Sequence, residues 1–267
     1  MSLTQLIILA LIQGITEFLP ISSSGHLILL PSLTGFADQG QVIDVAVHLG
    51  TLGAVVLYFW SDVAKAAAGV PRLLTGRVDT EGARLAFLLG IATVPVVLIG
   101  LALKVTGFNE ALRSVAVIGW AMLIFGLVLY WADQTGGTEK RSQDWSLRDA
   151  ILMGLWQAVA LIPGTSRSGI TITAARQLGY AREDGARLAM LMSIPTILAS
   201  GALLGVEVVA TADAEAARMG ATAAAMAFVA ALASLTIMMR LLRSVSFTPY
   251  VIYRVILGLG LLVFAYT

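Results

Sequence analysis

Glu17, Ser23 and His26 stand close together in the run Gln13-Gly14-Ile15-Thr16-Glu17-Phe18-Leu19-Pro20-Ile21-Ser22-Ser23-Ser24-Gly25-His26. A carboxylate, a cluster of hydroxyls and an imidazole together offer a general base, a nucleophile and a metal ligand. Gln13 and Glu17 are four apart, so on a helix they share one face. Each group also has a plainer use: a glutamate at a membrane interface, serines that only cap a helix, a structural histidine. A second run, Gln157-Ala158-Val159-Ala160-Leu161-Ile162-Pro163-Gly164-Thr165-Ser166-Arg167-Ser168-Gly169, lacks the acid and carries an arginine. A Gly/Ser break that opens a helix aims free N–H groups and a positive dipole end at anions. Arg167 adds a planar fork suited to phosphate oxygens; its plainer use is an ion pair with Glu17. Thr171 and Thr173 supply two more hydroxyls, or bond back along their own helix.

The two runs are near copies. A shift of 144 places Gln13 on Gln157, Ser22 on Ser166, Ser24 on Ser168 and Gly25 on Gly169. The second copy has Leu161 and Ile170 where the first has Glu17 and His26, and it adds Arg167. One copy is equipped to react and the other to grip.

The elements that must position them are membrane helices. The chain has 267 residues, of which 58% are hydrophobic and 12% charged, with a mean hydropathy of +0.88; soluble domains carry about 25% charged residues. A net charge of +1 gives no footing for nucleic acid, and the absence of cysteine excludes disulfides and thiolate chemistry. The start of the chain lacks the basic region and cleavage site of a signal peptide. Six stretches reach the length of about 20 residues needed to span a bilayer, near 41–60, 83–104, 114–132, 184–207, 218–240 and 249–266. The apolar pieces 3–19 and 149–162 are shorter; each meets its polar run and continues as 26–36 or 170–180, a pattern expected of re-entrant helix-loop-helix hairpins. The segment 61–82 is expected to be an interfacial helix and loop. Pro95 and Pro195 are expected to kink their spans.

Basic residues cluster at Lys65, Arg72 and Arg77, at Lys140, Arg141 and Arg148, at Arg176 and Arg182, and at Arg240 and Arg243. Placing these loops in the cytoplasm gives spans one to three and four to six opposite orientations. The expected fold is therefore all-α and polytopic, a single integral membrane domain with an inverted-topology repeat, about 1–132 and about 147–267. Its two polar breaks meet near the midplane. Lys104, Arg113, Arg218 and Arg254 sit at span ends as exceptions. Asp44 and His48 pair at the start of the first span, either as helix-start polar residues or as supports to the site. Trp60, Trp120, Trp131, Trp145 and Trp156 mostly suit interface anchors, and Gly201 and Gly205 suit close helix packing.

The motifs resemble those of the undecaprenyl-diphosphate phosphatases, the bacitracin-resistance protein family. Gln13-x-x-x-Glu17 with Ser22-Ser23-Ser24-Gly25-His26 resembles that family's (E/Q)xxxE…SSxGH region. Pro163-Gly164-Thr165-Ser166-Arg167-Ser168-Gly169-Ile170-Thr171 is similar to its PGxSRSxxT motif. The likeness covers essentially the whole chain. It implies hydrolysis of a polyprenyl diphosphate lipid to the monophosphate, recycling the lipid carrier of cell-wall synthesis, in the bacterial plasma membrane at a site reached from the outer face. It also implies a divalent cation, Mg²⁺ or Ca²⁺, held by Glu17 and Gln13, although a neutral amide at position 13 is a weaker ligand than the family's more usual glutamate. By position, Glu17 is the acidic catalytic residue, Ser23 and His26 the nucleophile and acid/base candidates, and Arg167 the phosphate clamp. Ser22, Ser24, Gly164, Ser166, Ser168 and Thr171 are the expected substrate-binding residues. Attack by Ser23, by His26 or directly by water all stay open, as does a homo-oligomeric state. Lipid phosphatases of the phosphatidic-acid type are excluded, since the sixth position after Arg167 is Thr173 rather than His. The competing class is a polyprenyl-phosphate carrier using the same inverted-repeat site.

Overall fold

In a computed structural model, which describes residues 2–35, 40–211 and 214–267 and omits the side chains of 32–33, 109–110 and 204–211, the chain is helical with no strand among the described residues. α1 (Leu3–Thr16) begins in a capping box between Ser2 and Gln5, which satisfies two orphan N–H groups. A short break leads to α2 (Ser23–Thr34), which ends at Gly35 in the left-handed conformation, φ 70°. There follow α3 (Gly40–Tyr58), α4 (Trp60–Leu74), α5 (Glu81–Thr106), the single turn α6 (Phe108–Ala111) and α7 (Val115–Thr135). A 3-10 turn at Ser142–Asp144 precedes α8 (Leu147–Val159), and a second break separates α8 from α9 (Arg167–Gln177). The chain closes with α10 (Arg182–Thr211), α11 (Ala214–Leu241) and α12 (Thr248–Tyr266).

Helices α3, α5, α7, α10, α11 and α12 are long and apolar enough to cross a membrane, and they match the six spans expected from sequence. Between 28% and 44% of each span's apolar window is buried inside the protein, so the larger share is left for lipid. α4 and the loop after it occupy the segment expected as an interfacial helix. α5 and α10 continue as helices through Pro95 and Pro195.

Packing interlocks the two halves of the chain. α1 lies on α11, α8 lies on α5, α3 on α11 and α7 on α12. Small residues make these approaches: a Cβ at Gly14 would stand 2.7 Å from Ala227 O, and one at Gly154 would stand 2.6 Å from Ala92 O. Between α7 and α12, Gly119 and Gly258 face each other's carbonyls. Backbones can come this close only where side chains are absent. Gly201, expected on such a seam, faces open space instead, and Gly205 lies outside the residues whose side chains are described. Trp145 also departs from expectation. It is 1% exposed and belongs to the main core cluster with Met153, Tyr180 and Leu188, and Arg84 donates to its carbonyl at 2.6 Å.

The loops expected to share one face do meet, through ion pairs. Arg141 reaches Asp184, Arg243 reaches Glu183, and Arg187 reaches Asp62. Asp133, at 2% exposure, accepts from Arg176 Nε, Arg182 Nε and the Phe247 amide, tying α7, α9, α10 and α12 together. A buried carboxylate persists only with such partners.

Candidate active site

Each break ends in a serine held in an unusual backbone conformation. Ser22 has φ 74° and Ser166 has φ 71°, and among the described residues these are the two positive-φ positions that are not glycine. Such geometry costs about 1–3 kcal/mol and persists where surroundings over-determine it. Each serine is the N-cap of the following helix, accepting from Gly25 N at 3.3 Å or Gly169 N at 3.1 Å. Each also meets the serine two positions on: Ser22 Oγ is 3.4 Å from Ser24 Oγ, and Ser166 Oγ is 3.1 Å from Ser168 Oγ. The sequence likeness of the two runs is thus a likeness of backbone.

The breaks touch. A Cβ on Gly25 would lie 3.5 Å from Gly164 Cα, and Ser168 Oγ donates to Leu19 O at 2.9 Å. Arg254, on α12, completes the join. Fully buried, it donates to Pro20 O in the first break at 3.1 Å, to Gly164 O in the second at 3.1 Å, and to Met122 O and Ala121 O on α7. Arg254, expected at a span end, lies inside α12. Its only signal was a basic residue two turns inside an apolar helix, which membrane energetics mark as functional. Gly164 is required here twice over: its φ is 90°, and a Cβ would stand 2.6 Å from Ile118 O.

Glu17 lies at the junction, 7% exposed. Its Oε1 accepts from Arg167 Nη2 at 2.5 Å, across from the other break. Its Oε2 accepts from Ser23 Oγ at 2.6 Å and from Gln13 Nε2 at 2.8 Å. Arg167 also donates to Ser193 O at 3.4 Å. A carboxylate poised on a hydroxyl and braced by a guanidinium has the geometry of a base, a nucleophile and an anion clamp.

The remaining expected residues fall as follows. His26 Nδ1 is 2.6 Å from Ser22 O and Nε2 is 2.6 Å from Tyr253 Oη, so both ring nitrogens are engaged. Ser24 is exposed. Thr171 and Thr173 are buried and donate back along their own helix, to Arg167 O at 2.7 Å and Gly169 O at 2.8 Å. His48 comes to the site: its Nε2 is 3.8 Å from Glu17 Oε2, while Nδ1 donates to Asp44 O at 2.7 Å.

For a divalent cation, the described residues contain no group of three His, Cys, Asp or Glu side chains that could cage one. They do offer Glu17 and one unused oxygen: Gln13 Oε1 is buried without a partner, on the amide that touches Glu17. One or two protein oxygens suffice for a hard cation that keeps its waters and rides on substrate phosphates. The donor set fits that mode.

Comparison with known proteins agrees with the geometry. Residues 6–260 match the family model described as bacitracin resistance protein BacA. The chain is 76% identical over 266 residues to a protein of Jannaschia sp. (strain CCS1) and 72% identical over 267 residues to one of Ruegeria pomeroyi, each covering all of both chains. It is 48% identical over 272 residues to a Rhodospirillum rubrum protein, covering 100% of this chain and 96% of that one. The first two relatives bear the name undecaprenyl-diphosphatase, and the third undecaprenyl-diphosphatase 1. With two helix breaks joined at one carboxylate and a family match running nearly end to end, the chain belongs to the bacitracin resistance protein BacA family.

Proposed function

We propose that this chain hydrolyses undecaprenyl diphosphate to undecaprenyl phosphate and inorganic phosphate, recycling the lipid carrier of cell-wall synthesis. The observation that carries the mechanism is the position of Glu17, which touches Ser23 of one break and Arg167 of the other. A pure carrier of lipid phosphates needs a grip but has no use for a carboxylate accepting a serine proton.

Ser23 Oγ attacks the terminal phosphorus and passes its proton to Glu17 Oε2. The bond from that phosphorus to the bridging oxygen breaks, and undecaprenyl phosphate leaves. The departing undecaprenyl phosphate takes the proton from Glu17. Water then attacks the phosphoserine; Glu17 takes a proton from that water and returns it to Ser23 Oγ as the phosphorus–Oγ bond breaks, and inorganic phosphate departs. Arg167 bears on the equatorial oxygens, where phosphoryl transfer gains most from fixed positive charge. The N–H groups that open α2 and α9 supply further donors. A divalent cation carried on the diphosphate, met by Glu17 and Gln13 Oε1, would further offset its charge. The prenyl chain lies among the apolar spans, the enzyme sits in the bacterial plasma membrane, and the site opens to its outer face.

The test is phosphate release by purified protein from a short-chain prenyl diphosphate, with and without excess chelator. Ser23→Ala should abolish release, and a phosphoserine should be recoverable from acid-quenched wild type. Release undiminished in Ser23→Ala would overturn the nucleophile, and full activity in chelator would remove the cation.

A further inference from the structure

His26 is one of only two histidines in the chain, and both of its ring nitrogens are committed. Nδ1 lies 2.6 Å from Ser22 O. A carbonyl has no proton to give, so Nδ1 carries the hydrogen. In the neutral ring Nε2 is then the acceptor, and Tyr253 Oη, 2.6 Å away, donates to it. The two rings stack with centroids 5.7 Å apart and planes at 11°. Tyr253 is the neighbour of Arg254, whose guanidinium holds Pro20 O. One turn of α12 therefore grips the first break at two carbonyls: Pro20 through Arg254, and Ser22 through His26 and Tyr253. Between and beyond these points lie the strained φ of Ser22 and the hydroxyl that Ser23 presents to Glu17.

We propose that Tyr253 is a positioning residue for the reaction. Its hydroxyl occupies His26 Nε2 and fixes the Nδ1–H tautomer. Through the bond from Nδ1–H to Ser22 O, it holds the first break so that Ser23 Oγ stays on Glu17. The inference rests on Ser23 as nucleophile. It assigns His26 to the architecture of the break rather than to attack on phosphorus, because Nδ1 has no lone pair in the ring plane and that of Nε2 is taken. A tyrosine that merely packs on the imidazole would do so equally well as phenylalanine, which keeps the ring and removes only the hydroxyl.

The experiment uses full-length protein in detergent, labelled with ¹⁵N-histidine, so that two imidazoles report; a His48→Gln sample assigns them. Wild-type His26 should show a protonated Nδ1 and a hydrogen-bonded Nε2. In Tyr253→Phe the Nε2 resonance should move to the position of a free acceptor or the tautomers should mix. The same variant should lose about tenfold in kcat, the worth of one such hydrogen bond, with KM nearly unchanged. Tyr253→Phe combined with His26→Ala should be no slower than His26→Ala alone, since both act through one contact. An unmoved Nε2 resonance, full kcat in Tyr253→Phe, or losses that multiply in the double variant would each overturn the proposal. A trapped phosphohistidine at His26 would overturn it together with the Ser23 mechanism, whereas loss of the phosphoserine with the ring signals as expected would fault only that mechanism.

Discussion

Replacing Glu17 by glutamine removes a charge while keeping nearly the same shape, and the structure separates its two consequences. Arg167 loses the negative charge it faces at 2.5 Å and keeps neutral acceptors alone, an amide oxygen there and Ser193 O at 3.4 Å. Leaving one member of a buried ion pair uncompensated costs about 3–5 kcal/mol. The Arg167 side chain is 17% exposed, so the lower end of that range is expected. The chemical loss is separate. Ser23 Oγ, now 2.6 Å from a carboxylate oxygen, would face a neutral amide that cannot take its proton. Loss of a general base lowers the rate by about 10²–10⁴, or about 3–5 kcal/mol of barrier at 1.36 kcal/mol per tenfold. The assay pairs thermal unfolding in detergent with phosphate release at saturating prenyl diphosphate. Arg167→Gln in the Glu17→Gln background should recover most of the stability, because no charge is left buried, and none of the activity. If Glu17→Gln kept more than about a tenth of wild-type kcat, the carboxylate would not be the base. If the double variant regained turnover along with stability, Glu17 would be only the counter-ion of Arg167.

Three further outcomes are expected. Arg254→Met leaves four carbonyls without their donor, and charged hydrogen bonds contribute about 1.5–3 kcal/mol each; the detergent melting temperature should fall sharply and phosphate release should vanish. Gly164→Ala should destabilise more than Gly179→Ala although both glycines have φ 90°, because only the Cβ at 164 meets a neighbouring backbone, Ile118 O at 2.6 Å; equal melting temperatures would refute the steric account. Asp149 accepts from Tyr180 Oη at 2.6 Å and Lys140 Nζ at 2.9 Å. Burial alone would push its carboxyl up, but these two partners hold it below the usual carboxylate range. A depressed folded-state pKa contributes stability above the unfolded value and loses it as pH falls through the folded one. Asp149→Asn should therefore melt below wild type at neutral pH, with the gap closing in acid.

Much of this site was legible before folding. Gln13, Glu17, Ser23 and Arg167 are polar residues in an apolar chain, and lipid tolerates such groups only where partners or function retain them. Arg167, expected as the phosphate clamp, makes in this structure the ion pair with Glu17 that was its plainer use, at 2.5 Å. Of the candidates for attack, Ser23 is the one whose side chain touches Glu17 directly, at 2.6 Å. His26, a candidate by its imidazole and by the motif, bonds to Ser22 O and to Tyr253 Oη on α12. His48, the weaker candidate, approaches Glu17 because α3 packs beside α1.

The sequence by itself determined the membrane helices, the two breaks and their unequal chemistry, because hydropathy, helical period and Pro/Gly/Ser punctuation are local properties of the chain. Only tertiary structure decided what binds the breaks to each other. Arg254 has carbonyls for partners rather than an acid, and Tyr253 meets His26 across 227 positions. Carbonyl acceptors exist at every residue, so no pattern of residue types marks which ones a buried guanidinium or a histidine will claim. That choice is made by how closely α7 and α12 pack, where Gly119 and Gly258 let their backbones approach.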